Sequence, residues 1–206
     1  MKNFKFAETA SGVVDVLVLG FLWLICSIPV ITLGVSSSAL YQAVVKSVRH
    51  GRGSAIKVFL HALRTDFRQA TLIWLIYAVY LVIGVLDIYA FQIMDVQAGK
   101  LLGMICWLFF LPPLLTGPWI FAYVSRFSNT VKNCFRYAAY LCMKNLPRTF
   151  LLVGIMAAVL YIGWLIPQIV LLLPGVTAFA MSFIIEPALR PLTENIENSA
   201  DQWYNE

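Results

Sequence analysis

The chain has little charge and an excess of apolar residues, which together exclude an ordinary soluble domain. Only 12% of its 206 residues are charged and 61% are hydrophobic, whereas soluble domains carry about 25% charged residues. Too few polar side chains remain to cover a surface in water, so the composition predicts a lipid environment. The net charge is +5, and most of the basic residues lie in two blocks between apolar runs. This argues against nucleic-acid binding, which needs a continuous basic face.

Chemically reactive groups are also scarce. The four cysteines are scattered along the chain, and no two have the spacing of a metal knuckle or a redox motif. The two histidines, His50 and His61, have no cysteine or carboxylate cluster beside them. The sequence lacks a phosphate-binding glycine loop, a nucleophile elbow and a paired-carboxylate signature. We therefore predict no enzyme, no catalytic or metal-binding residue and no cofactor.

Long apolar runs are what the sequence does contain. A bilayer core of about 30 Å is crossed by about 20 helical residues. The runs near that length are residues 12–33, 70–91, 101–124, 149–166 and 169–185. We predict an all-α fold, a polytopic transmembrane bundle of about five spans with amphipathic cytoplasmic helices. Prolines inside the third run predict a broken or kinked helix there.

The positions of the positive charges predict the orientation in a bacterial cell membrane. Residues 34–69 and 125–148 are rich in Lys and Arg, which places both segments in the cytoplasm. Five spans then put the C-terminus, with an acidic tail over residues 187–206, in the cytoplasm and the N-terminus outside. An alternative stays open, because Lys2 would lie outside in that arrangement. In the alternative the first run turns back at Pro29 as a re-entrant element, the N-terminus is inside, and four spans remain.

Each basic segment contains a predicted helix with a cationic face. Apolar and cationic residues recur on opposite sides of the helix over residues 56–68, and a second such helix is predicted over residues 129–145. The cationic residues of these faces are Lys57, Arg64 and Arg68 in the first helix and Lys132 and Arg136 in the second. Such faces suit the anionic inner leaflet of a bilayer. Recognition of another protein is the alternative.

Ionisable residues inside apolar runs are candidates for an ion or solute site. Asp15 and Asp87 lie near the ends of the first and second runs, and five spans place both near the outer face. Solvation by lipid headgroups would explain them. In the alternative, the two carboxylates face each other in a site. Glu186 lies near the inner end of the last run.

The end of the first run and the start of the second carry a distinctive pattern. Its residues are 24–34 (LICSIPVITLG), Ser37, Ala39, Leu40, Tyr41 and 67–71 (FRQAT). This pattern resembles the YesL-like family of bacterial membrane proteins, a domain of unknown function, and the similarity covers nearly the whole chain. The resemblance implies no catalytic residue. Pro29, Thr32, Gly34 and Tyr41 fit a structural motif that ends a span and starts a cytoplasmic helix.

Two functional hypotheses remain. Members of the family occur in Gram-positive bacteria, often encoded beside sugar-uptake ABC transporters and polysaccharide-degrading enzymes. The resemblance therefore implies a non-enzymatic accessory protein that associates with ABC transporter subunits. The alternative is a small transporter or channel for a small solute, built as a homo-oligomer. It is favoured by the proline-rich third run, because carbonyl groups freed at membrane depth usually line a cavity.

Overall fold

A computed structural model describes residues 2–51, 53–93, 97–127, 129–166, 169 and 172–194. All regular secondary structure in these residues is helical, which confirms the predicted all-α class. The α-helices are α1 (Lys2–Ser27), α2 (Leu33–Ala43), α3 (Ala55–Thr65), α4 (Phe67–Ile93), α5 (Gln97–Val124), α6 (Val131–Lys144), α7 (Leu146–Leu165) and α8 (Leu173–Glu194). A short 3-10 turn (Val30–Thr32) precedes α2, and a π-helical stretch (Val44–Arg49) continues it.

Two stretches of helix are long and apolar enough to cross a bilayer. They are Phe67–Asp87 in α4 and Leu146–Leu165, which is α7. Most of their side chains are exposed, unlike those of a core helix in a soluble protein. The apolar parts of α1 and α8, Gly12–Ser27 and Leu173–Leu189, are shorter. Among the described residues this is weak support for membrane association, and the predicted number of about five spans is not confirmed.

The short helix α2 is the centre of the bundle. It packs against α1, α3, α4, α5 and α8, and eight of its eleven residues are buried. Its sequence, LGVSSSALYQA, is rich in Gly, Ser and Ala. Small side chains let neighbouring helices approach closely, and this explains how one short helix can contact so many others. The interior of the protein is therefore built around the segment that follows Pro29.

The helices α1 and α2 form an antiparallel hairpin. Near its open end, a Cβ atom built on Gly12 would lie 3.9 Å from Val48 Cγ1. Nearer the turn, the Trp23 indole donates a hydrogen bond of 3.2 Å to Ser37 Oγ. The chain thus turns back near Pro29, as the re-entrant alternative describes. The segment 34–69 packs along α1 through α2, the π-helical stretch and α3.

The remaining helices pack onto this hairpin from two sides. On one side α4 and α5 form a second antiparallel pair, against which α6 packs. On the other side α8 contacts α1, the π-helical stretch and α2, and α7 packs between α8 and α5. The predicted break in the third run is not seen, because α5 carries Pro112, Pro113 and Pro118 inside one continuous helix.

Candidate functional site

The turn at Pro29 supplies hydrogen-bond donors to its own carbonyl groups. Pro29 has an extended backbone (φ −73°, ψ 114°) and no N–H group, so α1 cannot continue through it. The Thr32 hydroxyl lies 2.7 Å from the Pro29 carbonyl oxygen and 2.5 Å from that of Cys26. Thr32 N also donates to the Pro29 carbonyl at 2.9 Å. The carbonyl groups left without helical partners at the end of α1 therefore find donors inside the turn.

A tryptophan from α4 completes the turn. The Trp74 indole N–H donates a hydrogen bond of 2.6 Å to the Val30 carbonyl oxygen. The apolar side chains of the turn point outwards: the exposed fractions are 78% for Ile28, 63% for Val30 and 56% for Ile31. The turn therefore combines paired backbone groups with an exposed apolar surface.

Gly34 allows α2 to contact the backbone of α4. A Cβ atom at this position would lie 2.4 Å from Trp74 Cβ and 2.9 Å from the Ala70 carbonyl oxygen. Neither atom is the end of a flexible side chain, so only glycine permits this close approach. Pro29, Thr32 and Gly34 of the predicted motif are thus brought together at one end of the hairpin, where they shape the turn and its contact with α4.

The fourth motif residue, Tyr41, reaches a buried ion pair. Its hydroxyl donates a hydrogen bond of 3.2 Å to Glu186 Oε1, and the other carboxylate oxygen lies 2.9 Å from Arg126 Nη2. The side chains of Arg126 and Glu186 are only 4% and 10% exposed. Burial, and then the Glu186 carboxylate, raise the pKa of Tyr41 well above its usual value, so its hydroxyl remains a donor.

A second arginine holds the same part of α8. Arg49, at the end of the π-helical stretch, donates from Nη1 to the Ser182 carbonyl oxygen at 2.7 Å. Its guanidinium carbon lies 4.8 Å from the centre of the Phe183 ring, within the range of a cation–π contact. Two arginines from different segments therefore converge on one turn of α8, and together with Tyr41 they form a polar network that joins α2, α8 and the end of α5.

Sequence reasoning missed the role of Arg126, which it counted among the surface cations of residues 125–148. Two features of the sequence could have pointed to it. Arg126 follows directly on the charge-free end of α5, and Glu186 is the first charged residue after a long uncharged stretch. Buried charges in apolar surroundings need a partner of opposite sign.

The helix predicted over residues 56–68 ends earlier in the structure, because α3 stops at Thr65 and Arg68 lies at the start of α4. Lys57 and Arg64 are exposed on α3, which is firmly packed, and Arg68 is exposed on α4. Phe59 and Ala62 are fully buried and belong to the cluster that includes Leu40 and Val44. The opposite side of the helix meets solvent or lipid. We use the name basic surface of α3 for this side of the helix together with Arg68 at the start of α4; its exposed residues are Ile56, Lys57, Leu60, His61, Arg64 and Arg68. Cationic and apolar side chains alternate on it, so the apolar face predicted from the sequence is divided between core and surface.

A second cationic face lies on α6. Lys132 and Arg136 are exposed, whereas Cys134, Ala138 and Leu141 on the other side are buried against α5 and its neighbours. Both predicted cationic helices therefore keep their charged side chains at the surface, on separate parts of the fold.

The two aspartates predicted inside apolar runs are on helices that do not pack along each other. Asp15 lies on α1, which packs mainly on α2, α3 and α8, whereas Asp87 lies on α4, which packs mainly on α5 and α2. Asp87 is exposed and lies well beyond Trp74, where α4 meets the hairpin. The alternative in which the two carboxylates face each other in one site does not fit this arrangement.

In the part of the chain that the structure describes, no group of three or more His, Cys, Asp or Glu residues lies close enough to hold a metal ion. The polar network around Glu186 consists of an ion pair and hydrogen bonds in the protein interior. It is suited to hold helices together.

Comparison with known families addresses the region that contains the hairpin. Residues 16–88 match the family described as "Protein of unknown function, DUF624". The DUF624 region begins in α1 and ends near the C-terminal end of α4. It therefore contains the turn, Gly34, Tyr41 and the basic surface of α3. The match covers well under half of the chain, and over these residues it confirms the resemblance to the YesL-like family. Neither the curated proteins nor the solved structures gave a significant match.

Proposed function

We propose that this protein is a non-enzymatic accessory component of a bacterial cell membrane that associates with carbohydrate-uptake machinery of the ABC transporter type. The observation that carries the proposal is the basic surface of α3. It presents Lys57 and Arg64 beside exposed apolar residues, directly before the membrane-length stretch of α4, and Arg68 at the beginning of that stretch. The protein would act by binding to its partner.

The packing of α3 supports a role in recognition. Since Phe59 and Ala62 are fully buried, α3 is held against the core and its outer side is presented in a fixed orientation. A preformed surface loses little conformational entropy on binding, which favours association. Protein interfaces also commonly combine an apolar centre with charged residues around it. The mixture of Ile56 and Leu60 with the neighbouring cations fits that description.

The membrane arrangement is part of the proposal. Four helices, α4, α5, α7 and α8, would cross the bilayer as two hairpins with the basic segments and the C-terminus in the cytoplasm. The sequence leaves open whether the first run is a fifth span or a re-entrant element. The turn at Pro29 and the packing of α2 along α1 favour the re-entrant element.

The choice of partner rests on the family resemblance. Genes of YesL-like proteins often lie beside those for sugar-uptake ABC transporters, which makes the permease or ATPase subunits of such a transporter the first partners to test. Acidic residues on the cytoplasmic side of those subunits would complement the three cations of the basic surface of α3.

The test is affinity purification of the full chain, tagged at its C-terminus, from native membranes in mild detergent. The test variant is Arg64→Glu with Arg68→Glu, which reverses two exposed charges of the basic surface of α3. The matched control is Lys132→Glu with Arg136→Glu, which makes the same change of charge at two exposed positions of α6. Partners are identified by mass spectrometry, and size-exclusion chromatography checks that both variants remain folded and inserted.

We expect transporter subunits to be recovered with the unchanged protein and with the α6 control. With the α3 variant we expect about tenfold lower recovery, which corresponds to a loss of about 1.4 kcal/mol in binding free energy. Equal recovery with a properly inserted α3 variant would refute the role of α3. Absence of transporter subunits from the unchanged protein would refute the choice of partner.

The small transporter or channel remains the second candidate function. Although α5 is one continuous helix, its three prolines carry no N–H group and leave carbonyl groups of the preceding turn without that donor. This second candidate has a direct test, which is the flux of small sugars and ions into liposomes that contain only this protein. We expect no flux above that of empty liposomes. Specific flux would overturn the accessory role.

A further inference from the structure

We propose that α1 and α2 form a re-entrant hairpin, whose tip lies in the hydrocarbon of one leaflet and does not cross the bilayer. The tip is defined as residues 28–32. This inference goes beyond the accessory function, because it assigns a lipid-binding surface to the hairpin and places both of its open ends on one side of the membrane. The exposed surface of the tip would contact the acyl chains of the bilayer.

The contact of the tip with α4 indicates how deep the tip lies in the bilayer. Arg68 belongs to the basic surface of α3, so the apolar part of α4 begins after it, and Trp74 lies six residues beyond Arg68, about 9 Å along the helix. Because the Trp74 indole is bonded to the Val30 carbonyl, the tip lies at the same depth as Trp74. Gly34, which is in close contact with Ala70 and Trp74, confirms this alignment. If α4 crosses the bilayer, the tip is therefore well inside one leaflet.

The surface of the tip is suited to hydrocarbon. Ile28, Val30 and Ile31 are all more than half exposed, and the sequence has no charged residue from 16 to 45. Further exposed apolar side chains lie on α4, before and after Trp74 along the chain. They include Leu72, Leu75, Ile76 and Val79. Large continuous apolar surfaces mark sites that contact a membrane or another protein.

Two carbonyl groups of the tip have hydrogen-bond donors within the protein. Hydrocarbon cannot hydrogen-bond to peptide groups, so a turn in the bilayer is favoured when the protein itself supplies partners. The Thr32 backbone N–H donates to the Pro29 carbonyl oxygen, and the Trp74 indole donates to that of Val30. The Thr32 hydroxyl lies within hydrogen-bond distance of the Cys26 and Pro29 carbonyl oxygens.

The open end of the hairpin has the opposite character. Gly12 lies beside Val48, so the start of the apolar part of α1 and the basic loop after the π-helical stretch share one end of the hairpin. This loop leads to Lys57 on the basic surface of α3, and Lys2 precedes α1's apolar part. The positive-inside rule places all of these charges in the cytoplasm. A re-entrant hairpin satisfies the rule, whereas a crossing first span would leave Lys2 outside.

The first experiment locates the N-terminus in the full chain with its native cysteines. A protease-sensitive tag is added to the N-terminus, and digestion is compared between intact spheroplasts and inverted membrane vesicles. We expect digestion in inverted vesicles only. Digestion in intact spheroplasts would show that the first run crosses the bilayer and would overturn the proposal.

The second experiment tests whether the tip lies in lipid. Ile31→Cys and, as a matched control, His50→Cys are made in a chain whose four native cysteines are replaced by alanine. Each is treated with a membrane-impermeant maleimide in spheroplasts and in inverted vesicles. We expect His50→Cys to react in inverted vesicles only, and Ile31→Cys to react in neither until denaturation in SDS. Labelling of Ile31→Cys from either side of the native membrane would overturn the proposal. If the alanine background does not fold, the N-terminal tag still decides the orientation.

Discussion

The Arg126 guanidinium lies 2.9 Å from the Glu186 carboxylate, and both side chains are almost fully buried. The pair joins the end of α5 to α8, and Tyr41 connects the carboxylate to α2. Its energetic role is asymmetric. Replacing both partners of a buried pair can be nearly neutral, whereas removing one partner leaves an uncompensated charge in an apolar interior. The network therefore joins the DUF624 region to the C-terminal half of the chain.

Loss of the Glu186 charge is expected to destabilise the fold strongly. Glu186→Gln keeps the shape of the side chain but leaves the Arg126 guanidinium buried without its counter-charge, a change that typically costs about 3–5 kcal/mol. Thermal unfolding in detergent measures the effect. The control is Asp87→Asn, the same chemical change at an exposed position, for which we expect little shift. A Glu186→Gln protein as stable as the control would show that the pair contributes nothing to stability.

Addition of a methyl group at Gly34 is expected to push α2 away from α4. A Cβ atom there would lie 2.4 Å from Trp74 Cβ, and overpacking of this kind costs about 1–3 kcal/mol. The matched control is Gly154→Ala in α7, where a Cβ atom would meet nothing within 4 Å. Since alanine favours helix over glycine by about 1 kcal/mol, we expect opposite shifts of the unfolding temperature. Equal shifts would contradict the close contact of α2 and α4.

Asp66, between α3 and α4, is expected to make stability depend on pH. Burial raises its pKa from 3.8 to about 6, although hydrogen bonding from Thr65 and the charge of His61 act in the opposite direction. A carboxyl group whose pKa is raised by folding costs stability as pH increases, because the unfolded chain releases its proton first. The folded state is therefore destabilised progressively between pH 4 and pH 6. Above that range the destabilisation stays constant.

The test is Asp66→Asn, compared with the unchanged protein by thermal unfolding in detergent at several pH values. We expect the two proteins to be most alike near pH 4 and the variant to be more stable at pH 7. Since Asp66 is only partly buried, the difference should be of the order of 1–2 kcal/mol, less than the full shift in pKa would imply. A constant difference at all pH values would show that the carboxyl group does not titrate in this range.

The cationic helices show what residue spacing predicts about a helix and what it does not. The helical spacing of apolar and basic residues predicted α3 and α6, and the five cations predicted for them are exposed. The same spacing did not reveal that Phe59 and Ala62 are buried in the core while Ile56 and Leu60 remain exposed. Periodicity identifies which residues share a face, but only the neighbouring helices decide which part of an apolar face is covered.

The sequence by itself determined the helical class and the apolar character of the chain, because composition acts locally, and it left the turn back at Pro29 as the alternative to a crossing first span. Only the tertiary structure decided the pairing of Arg126 with Glu186, the contact of Gly34 with α4 and the central position of α2. Each of these depends on residues far apart in the chain. Their contacts are set by how whole helices pack, and helix packing follows from the shape of complete surfaces rather than from any local pattern of residues.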